Sequence, residues 1–196
     1  RWHAGSTPPR LRPGVPVYDN FRAEHVAPAE ARPREQAYLL TGANGLYTGA
    51  MLVQYIQGVL NVIADWVFEG DPGASLGDIV SAASLLARRQ LTAVGAPRFF
   101  DSHDTTGLRA AARKVPVELV KGSGGALGRE GVRRLLNSSK RGLPAVQVDP
   151  GSRWTLNGLA GGYCRAVTKS GVVTEFPDDN QYRVVMEALE SFVALM

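Results

Sequence analysis

The glycine-interrupted stretch at residues 38–54 constrains the fold more than any other part of this sequence. The apolar pair Leu39 and Leu40 is followed by Gly42, Gly45 and Gly49, and then by a second apolar run at residues 50–55. Glycines between two apolar runs of strand length predict a β-hairpin. A further run at residues 60–68, rich in Val, Ile and Trp, predicts a third strand. We therefore expect the domain to open with a three-stranded meander.

Helical and strand patterns alternate after this meander. Apolar residues recur at helical spacing in residues 76–90, 129–140 and 181–195, and shorter helices are expected at 105–113 and 153–159. Strands are expected at residues 98–100, 117–121 and 145–148, with a hairpin formed by residues 163–167 and 171–176. This order predicts an α/β fold, namely one mixed β-sheet flanked by helices on both faces.

The first 36 residues differ in composition from the rest, because they contain half of the 12 prolines. Proline restricts both itself and the residue before it to extended conformations. We therefore predict an extended lead-in or linker at residues 1–36, with residues 15–26 lying against the domain, and one folded domain at residues 37–196.

Positive charge is concentrated in one part of the chain. The net charge is +4 overall, whereas residues 88–141 contain twelve Lys or Arg residues and four acidic residues. Such a segment is often only a solvated face, but it also matches the phosphate backbone of a nucleic acid. The residues we expect to contact the DNA backbone are Lys121, Arg129, Arg133, Arg134 and Lys140.

Acidic residues fall at predicted strand ends and near the last helix. Asp101 ends a predicted strand, Asp104 follows three residues later, and Glu187 lies on the closing helix, which Asp178 and Asp179 precede. Carboxylates brought together from strands and a helix can hold two divalent ions that activate water for phosphodiester hydrolysis. Asp101, Asp104 and Glu187 are therefore the candidate metal ligands.

Several other kinds of site find no support in the sequence. Cys164 is the only cysteine, so no internal disulfide forms, and the three His residues lack zinc-ligand spacing. The glycine-rich residues 122–128 are not followed by Lys and Ser or Thr, as a phosphate-binding loop requires. No Gly-x-Ser-x-Gly elbow and no apolar run of about 20 residues is present.

Four motifs resemble, in order and spacing, the C-terminal nuclease domain of the large terminase of tailed phages, a DNA-packaging motor. Residues 15–21 (Val-Pro-Val-Tyr-Asp-Asn-Phe), with a following His-Val pair, resemble the family's lead-in, Val-Tyr-Pro-x-Phe and His-Val. Residues 42–54 resemble its first hairpin, Asp-Phe-Gly-x-Thr-Pro-Ala followed by Gln. Phe100 and Asp101 resemble the strand with its second aspartate. Residues 176–189 resemble its closing motif, in which Asn, Tyr and a His-Val pair precede Asp-Ala-Leu. The resemblance covers residues 15–192 and implies a ribonuclease-H-like fold.

The resemblance also implies a catalytic set that is incomplete here. Ala43 stands where the first metal-ligating Asp belongs, Asp101 matches the second, and Glu187 stands in place of the third. Val184 replaces a His that usually precedes the third. Loss of the first carboxylate is expected to weaken metal binding and to impair cleavage. The Ala is either an engineered change, a natural degeneration or the sign of a shifted ligand set, for which Asp65 and Asp104 are candidates.

The family implies a metal-dependent endonuclease that uses Mg²⁺ or Mn²⁺ in a two-metal site. Its substrate is concatemeric double-stranded DNA, cut with little sequence preference during genome packaging in the cytoplasm of an infected bacterial host. Its partners are the portal of the procapsid, the small terminase subunit and an ATPase domain. No Walker-type sequence is present here, so we expect a domain fragment that cannot package DNA alone; no membrane partner is expected.

Two alternatives stay open at this stage. The first is a non-catalytic DNA-binding or motor-assembly module that keeps the fold and has lost the chemistry. The second is another ribonuclease-H-like enzyme, such as a relative of resolvases or integrases. Carboxylates clustered within about 4–5 Å of one another would favour an enzyme, and a basic groove without them would favour the module.

Overall fold

The computed structural model of the protein describes residues 14–69, 72–88, 91–95 and 117–196. The predicted strand at 98–100 and the predicted helix at 105–113 lie outside these ranges. Asp101 and Asp104 lie outside them as well. Within the described ranges, the structure contains no helix that is long and apolar enough to cross a membrane.

A six-stranded sheet forms the centre of the fold. Strands β1 (Ala37–Ala43), β2 (Tyr47–Ile56) and β3 (Val59–Glu69) form the predicted antiparallel meander. Helix α1 (Pro72–Ala87) leads to β4 (Leu91–Gly95), which pairs parallel to β1, and β5 (Val117–Lys121) pairs parallel to β4. The sheet is therefore mixed, as predicted.

The chain then returns to the other edge of this sheet. After helix α2 (Ala126–Leu136), the short strands β6 (Ser139–Lys140) and β7 (Leu143–Pro144) pair with each other. Strand β8 (Val146–Val148) then pairs parallel to β3. The complete strand order is β5-β4-β1-β2-β3-β8.

The last part of the chain covers the sheet. Helix α3 (Arg153–Asn157) is continued by one π-helical turn at Gly158–Gly162. Strands β9 (Arg165–Val167) and β10 (Val173–Pro177) form a hairpin outside the main sheet, and helix α4 (Gln181–Val193) closes the domain. Helix α4 begins at the residue predicted, because Asn180 caps it by accepting a hydrogen bond from the Tyr182 amide at 3.0 Å.

Two apolar clusters lie on opposite faces of the sheet. Leu39 and Ala43 of β1 pack with Ile79 and Ala83 of α1. Leu40, one residue from Leu39, belongs to the second cluster, which includes the buried face of α4. Successive side chains of a strand point to opposite faces, so the alternation along β1 divides the two layers. The predicted helices on both faces are confirmed.

Helix α4 approaches the first hairpin unusually closely. Gly42 and Gly49 are paired in register across β1 and β2, and the helix backbone at Val184 lies directly over them. A methyl group at Gly42 would overlap the Val184 carbonyl oxygen. Both glycines therefore lie inside strands and permit helix packing. Of the three glycines taken from the sequence as turn residues, only Gly45, with φ of 88°, lies in the turn.

The described part of the lead-in packs against the domain. Val17 and Tyr18 are buried, and the Val17 amide donates to the Tyr163 carbonyl oxygen at 2.9 Å. Val26 bridges to Val148 and covers the outer edge of β8. The buried Gln54 side chain then fixes the following turn by hydrogen bonds to the backbone of Arg32 and Glu35.

Two predictions of local structure were wrong. Residues 91–95 were not predicted as a strand, because a five-residue apolar run directly after a helical pattern cannot be separated from that helix by periodicity. Helix α2 begins at Ala126 rather than at residue 129, and it ends at Leu136. Lys140 therefore lies on the β6–β7 hairpin and not on a helix.

Candidate metal and DNA site

The end of β1, where the resemblance expects the first metal ligand, is apolar. Ala43 is 5% exposed and belongs to the cluster that packs against α1. Thr41, which the alternation of the strand places on the same face, is fully buried, and its Oγ1 atom has no hydrogen-bond partner in the described structure. Neither side chain supplies a carboxylate for a cation.

Asp179 is the acidic residue that contacts the turn after β1. The Asn44 side chain donates from Nδ2 to Asp179 Oδ1 at 3.2 Å and to the Asn180 carbonyl oxygen at 3.3 Å. Glu187 lies seven residues beyond the N-cap of α4, about 10 Å further along the helix axis. Sequence reasoning chose Glu187 for the site, although the turn contact brings Asp179 to the end of β1.

Glu187 is already paired with a cation of the protein itself. The Arg183 Nε atom donates to Glu187 Oε1 at 2.6 Å, and Arg183 Nη1 lies 3.4 Å from Asp179 Oδ1. Among the described residues, no three His, Cys, Asp or Glu side chains group closely enough to hold a metal ion. The described residues, Glu187 included, therefore do not fit a two-metal site; Asp101 and Asp104 lie outside the described ranges.

Asp65, the candidate substitute on β3, has a structural role. Its Oδ2 atom accepts a hydrogen bond from the Thr155 amide at 2.6 Å, in the first turn of α3. Burial raises the pKa of the Asp65 carboxyl to about 6, although this bond partly opposes the effect. Asp65 thus ties β3 to the N-terminus of α3.

A buried carboxylate that sequence reasoning missed lies between the lead-in and the two helices α2 and α4. Glu190 is fully buried, and its Oε1 atom accepts a hydrogen bond from the Tyr18 hydroxyl at 2.6 Å. Its Oε2 atom lies 3.8 Å from Arg129 Nη1. Burial raises the pKa of the Glu190 carboxyl to about 7, against the lowering effects of Tyr18 and Arg129. The signal in the sequence was an acidic residue on the apolar face of the closing helix.

The five predicted DNA-contact residues fall into two groups. Arg129 faces Glu190, and Arg133 donates from Nη2 to the Val17 carbonyl oxygen at 3.1 Å. These two arginines hold the lead-in and the helices together. The other three side chains are exposed, and they are Lys121, Arg134 and Lys140.

No protein-family model matches this sequence, and no curated protein matches it. Solved structures do. A complete large terminase from a thermophilic bacteriophage is similar over 93% of this chain and 45% of its own, with a TM-score of 0.69 and 16% identity. The chain thus spans under half the length of that protein.

Two isolated nuclease domains match over nearly their whole length. The large terminase nuclease from thermophilic phage G20c, with bound magnesium, is similar over 91% of this chain and 96% of its own, at a TM-score of 0.60 and 12% identity. The nuclease domain of the large terminase from bacteriophage SPP1, with bound Mn, is similar over 93% and 99%, at a TM-score of 0.57 and 13% identity. The chain therefore has the ribonuclease-H-like fold of the nuclease domains of phage large terminases.

Proposed function

We propose that this chain is a large-terminase-type nuclease domain that binds double-stranded DNA and whose hydrolytic site is disabled. The observation that carries the proposal is the state of the two positions equivalent to metal ligands that the structure describes. Ala43 lies in an apolar cluster, and Glu187 is paired with Arg183. The fold itself supports the DNA-processing role, since the G20c and SPP1 nuclease domains match over nearly their whole length.

DNA binding depends in this proposal on exposed positive charge. Lys121, Arg134 and Lys140 are exposed, and they belong to the segment with the largest excess of basic residues. Contacts to phosphates release counterions, so the affinity falls steeply with salt. The physiological substrate is concatemeric viral DNA in the cytoplasm of an infected bacterial host. The remaining partners are the portal, the small subunit and an ATPase domain.

A second function is an active endonuclease with a shifted set of ligands. Asp179 favours it, because the Asn44 contact brings this carboxylate to the turn after β1. The G20c and SPP1 domains were solved with bound cobalt, magnesium or Mn, and Mg²⁺ or Mn²⁺ would serve here. In an enzyme of this kind the ions activate water and stabilise the leaving oxygen.

Cleavage of supercoiled plasmid in Mn²⁺ separates the two functions. The disabled domain leaves the plasmid intact while it retards duplex DNA on a gel in EDTA. Cleavage by the parent chain that Asp101→Ala or Asp179→Ala abolishes would establish the shifted site instead. Thr41→Asp and Ala43→Asp are tested beside each other, because both positions direct their side chains to the same face of β1.

The DNA-binding part has its own test. Arg134→Ala and Lys140→Ala are each expected to weaken duplex binding and to reduce the salt slope by about one. Lys169→Ala is the matched control, since Lys169 is an exposed lysine on the distant β9–β10 turn. Equal losses in the three variants would refute the proposed surface.

A further inference from the structure

Arg183 occupies a position that is unfavourable for a cation on its own. It is the third residue of α4, where the helix dipole is positive and repels a guanidinium. Its side chain is only 14% exposed, so its charge also loses much of its hydration. An arginine in such a position is stabilised only if carboxylates face it.

Two carboxylates do face it, one on each side along the helix. Asp179 lies one turn before Arg183 and Glu187 one turn after, at 3.4 Å and 2.6 Å from guanidinium nitrogen atoms. The Glu187 side chain is 18% exposed and the Asp179 side chain 55%. The shorter contact therefore joins the two more buried groups, in which electrostatic attraction is strongest.

The arrangement connects to the turn after β1. Asn44 donates to the same Asp179 oxygen atom that Arg183 contacts. A chain of polar contacts thus runs from the turn through Asp179 and Arg183 to Glu187. A cation is already present in this chain, and it is covalently part of the protein.

We propose that Arg183 is the resident cation of this acidic edge, holding Asp179 and Glu187 in place of a divalent metal ion. The inference rests on the proposed loss of the hydrolytic site and names the residue responsible for the altered charge. It follows that Glu187 ligates no metal ion in this chain. It also follows that Glu187 becomes available to a metal ion when the guanidinium is removed.

The test is Mn²⁺ binding to the whole chain, measured by electron paramagnetic resonance and by the Mn²⁺-induced shift in melting temperature. The parent chain and Glu187→Gln are expected to bind Mn²⁺ equally, because Glu187 contributes no ligand. Arg183→Gln is expected to gain Mn²⁺ binding and a melting-temperature rise of several degrees. The double variant Arg183→Gln/Glu187→Gln should lose that gain. Arg134→Gln, which removes an exposed arginine of α2, is the control for charge alone.

Two results would overturn the inference. The first is Mn²⁺ binding by the parent chain that Glu187→Gln abolishes, and this comparison decides the matter even if Arg183→Gln does not fold. The second is a folded Arg183→Gln variant that gains no Mn²⁺ binding. Duplex binding in EDTA is measured separately, so a failure of the proposed DNA-binding function is distinguishable from a failure of the role of Arg183.

Discussion

Glu190→Gln is expected to change how the stability of the domain depends on pH. Burial raises the pKa of the Glu190 carboxyl from 4.5 to about 7, so the folded state binds a proton that the unfolded state has released. The unfolding free energy therefore falls as the pH rises from about 4.5 to about 7. It is constant, with respect to this group, on either side of that window.

The size of the effect follows from the shift. A difference of about 2.5 pKa units corresponds to about 3 kcal/mol, with a slope of about 1.4 kcal/mol per pH unit inside the window. Gln has the shape of Glu, accepts the bond from Tyr18 and does not titrate. The variant should therefore lack this slope and should be more stable than the parent above pH 7, less whatever the contact with Arg129 contributes.

Denaturant unfolding at a series of pH values between 4 and 8.5 measures the effect. Glu130→Gln serves as the control, because the Glu130 side chain is 57% exposed and lies on the neighbouring helix α2. An unchanged slope in Glu190→Gln would refute the reasoning, since it would mean that Glu190 is ionised in the folded state at the same pH as in the unfolded chain.

Three further predictions concern other buried groups. Tyr18→Phe removes the donor to a buried carboxylate and should lower the unfolding free energy by about 2 kcal/mol, whereas Tyr55→Phe, at a ring that is 40% exposed, should have almost no effect in the same denaturant titration. Gly42→Ala should destabilise by about 3 kcal/mol, because the new methyl group overlaps the Val184 carbonyl oxygen; a thermal melt unchanged from the parent would contradict the close approach of α4. Asp65→Asn should abolish the fall in stability between about pH 4 and pH 6 that the raised pKa of Asp65 causes, and the same slope in the variant would argue against its burial.

The sequence predicted the parts of the fold whose pattern is local. The meander and the start of α4 were identified because alternating apolar runs, a glycine turn and an Asn cap are all read within a few residues. Strand β4 was missed because it follows a helix with no polar break. The roles of Gly42 and Gly49 were also missed, since nothing local shows that a helix 140 residues later packs on them.

The candidate site was predicted less completely, and for a similar reason. Ala43 was correctly noticed as an apolar residue at a strand end. That Glu187 is paired with Arg183 follows from helical spacing, but which carboxylate reaches β1 depends on how α4 lies across the sheet. The partner of Glu190 is 172 residues away in the lead-in, so no sequence window contains both.

That separation has a mechanical consequence. Tyr18 enters the domain near its beginning and is anchored to Glu190 on its last helix, while Val17 is anchored to Tyr163. A pull on the chain ahead of the domain is therefore borne by α4 and the turn before β9, and it does not peel β1 from the sheet. The first strand is shielded from tension by the closing helix, and the two ends of the domain must yield together.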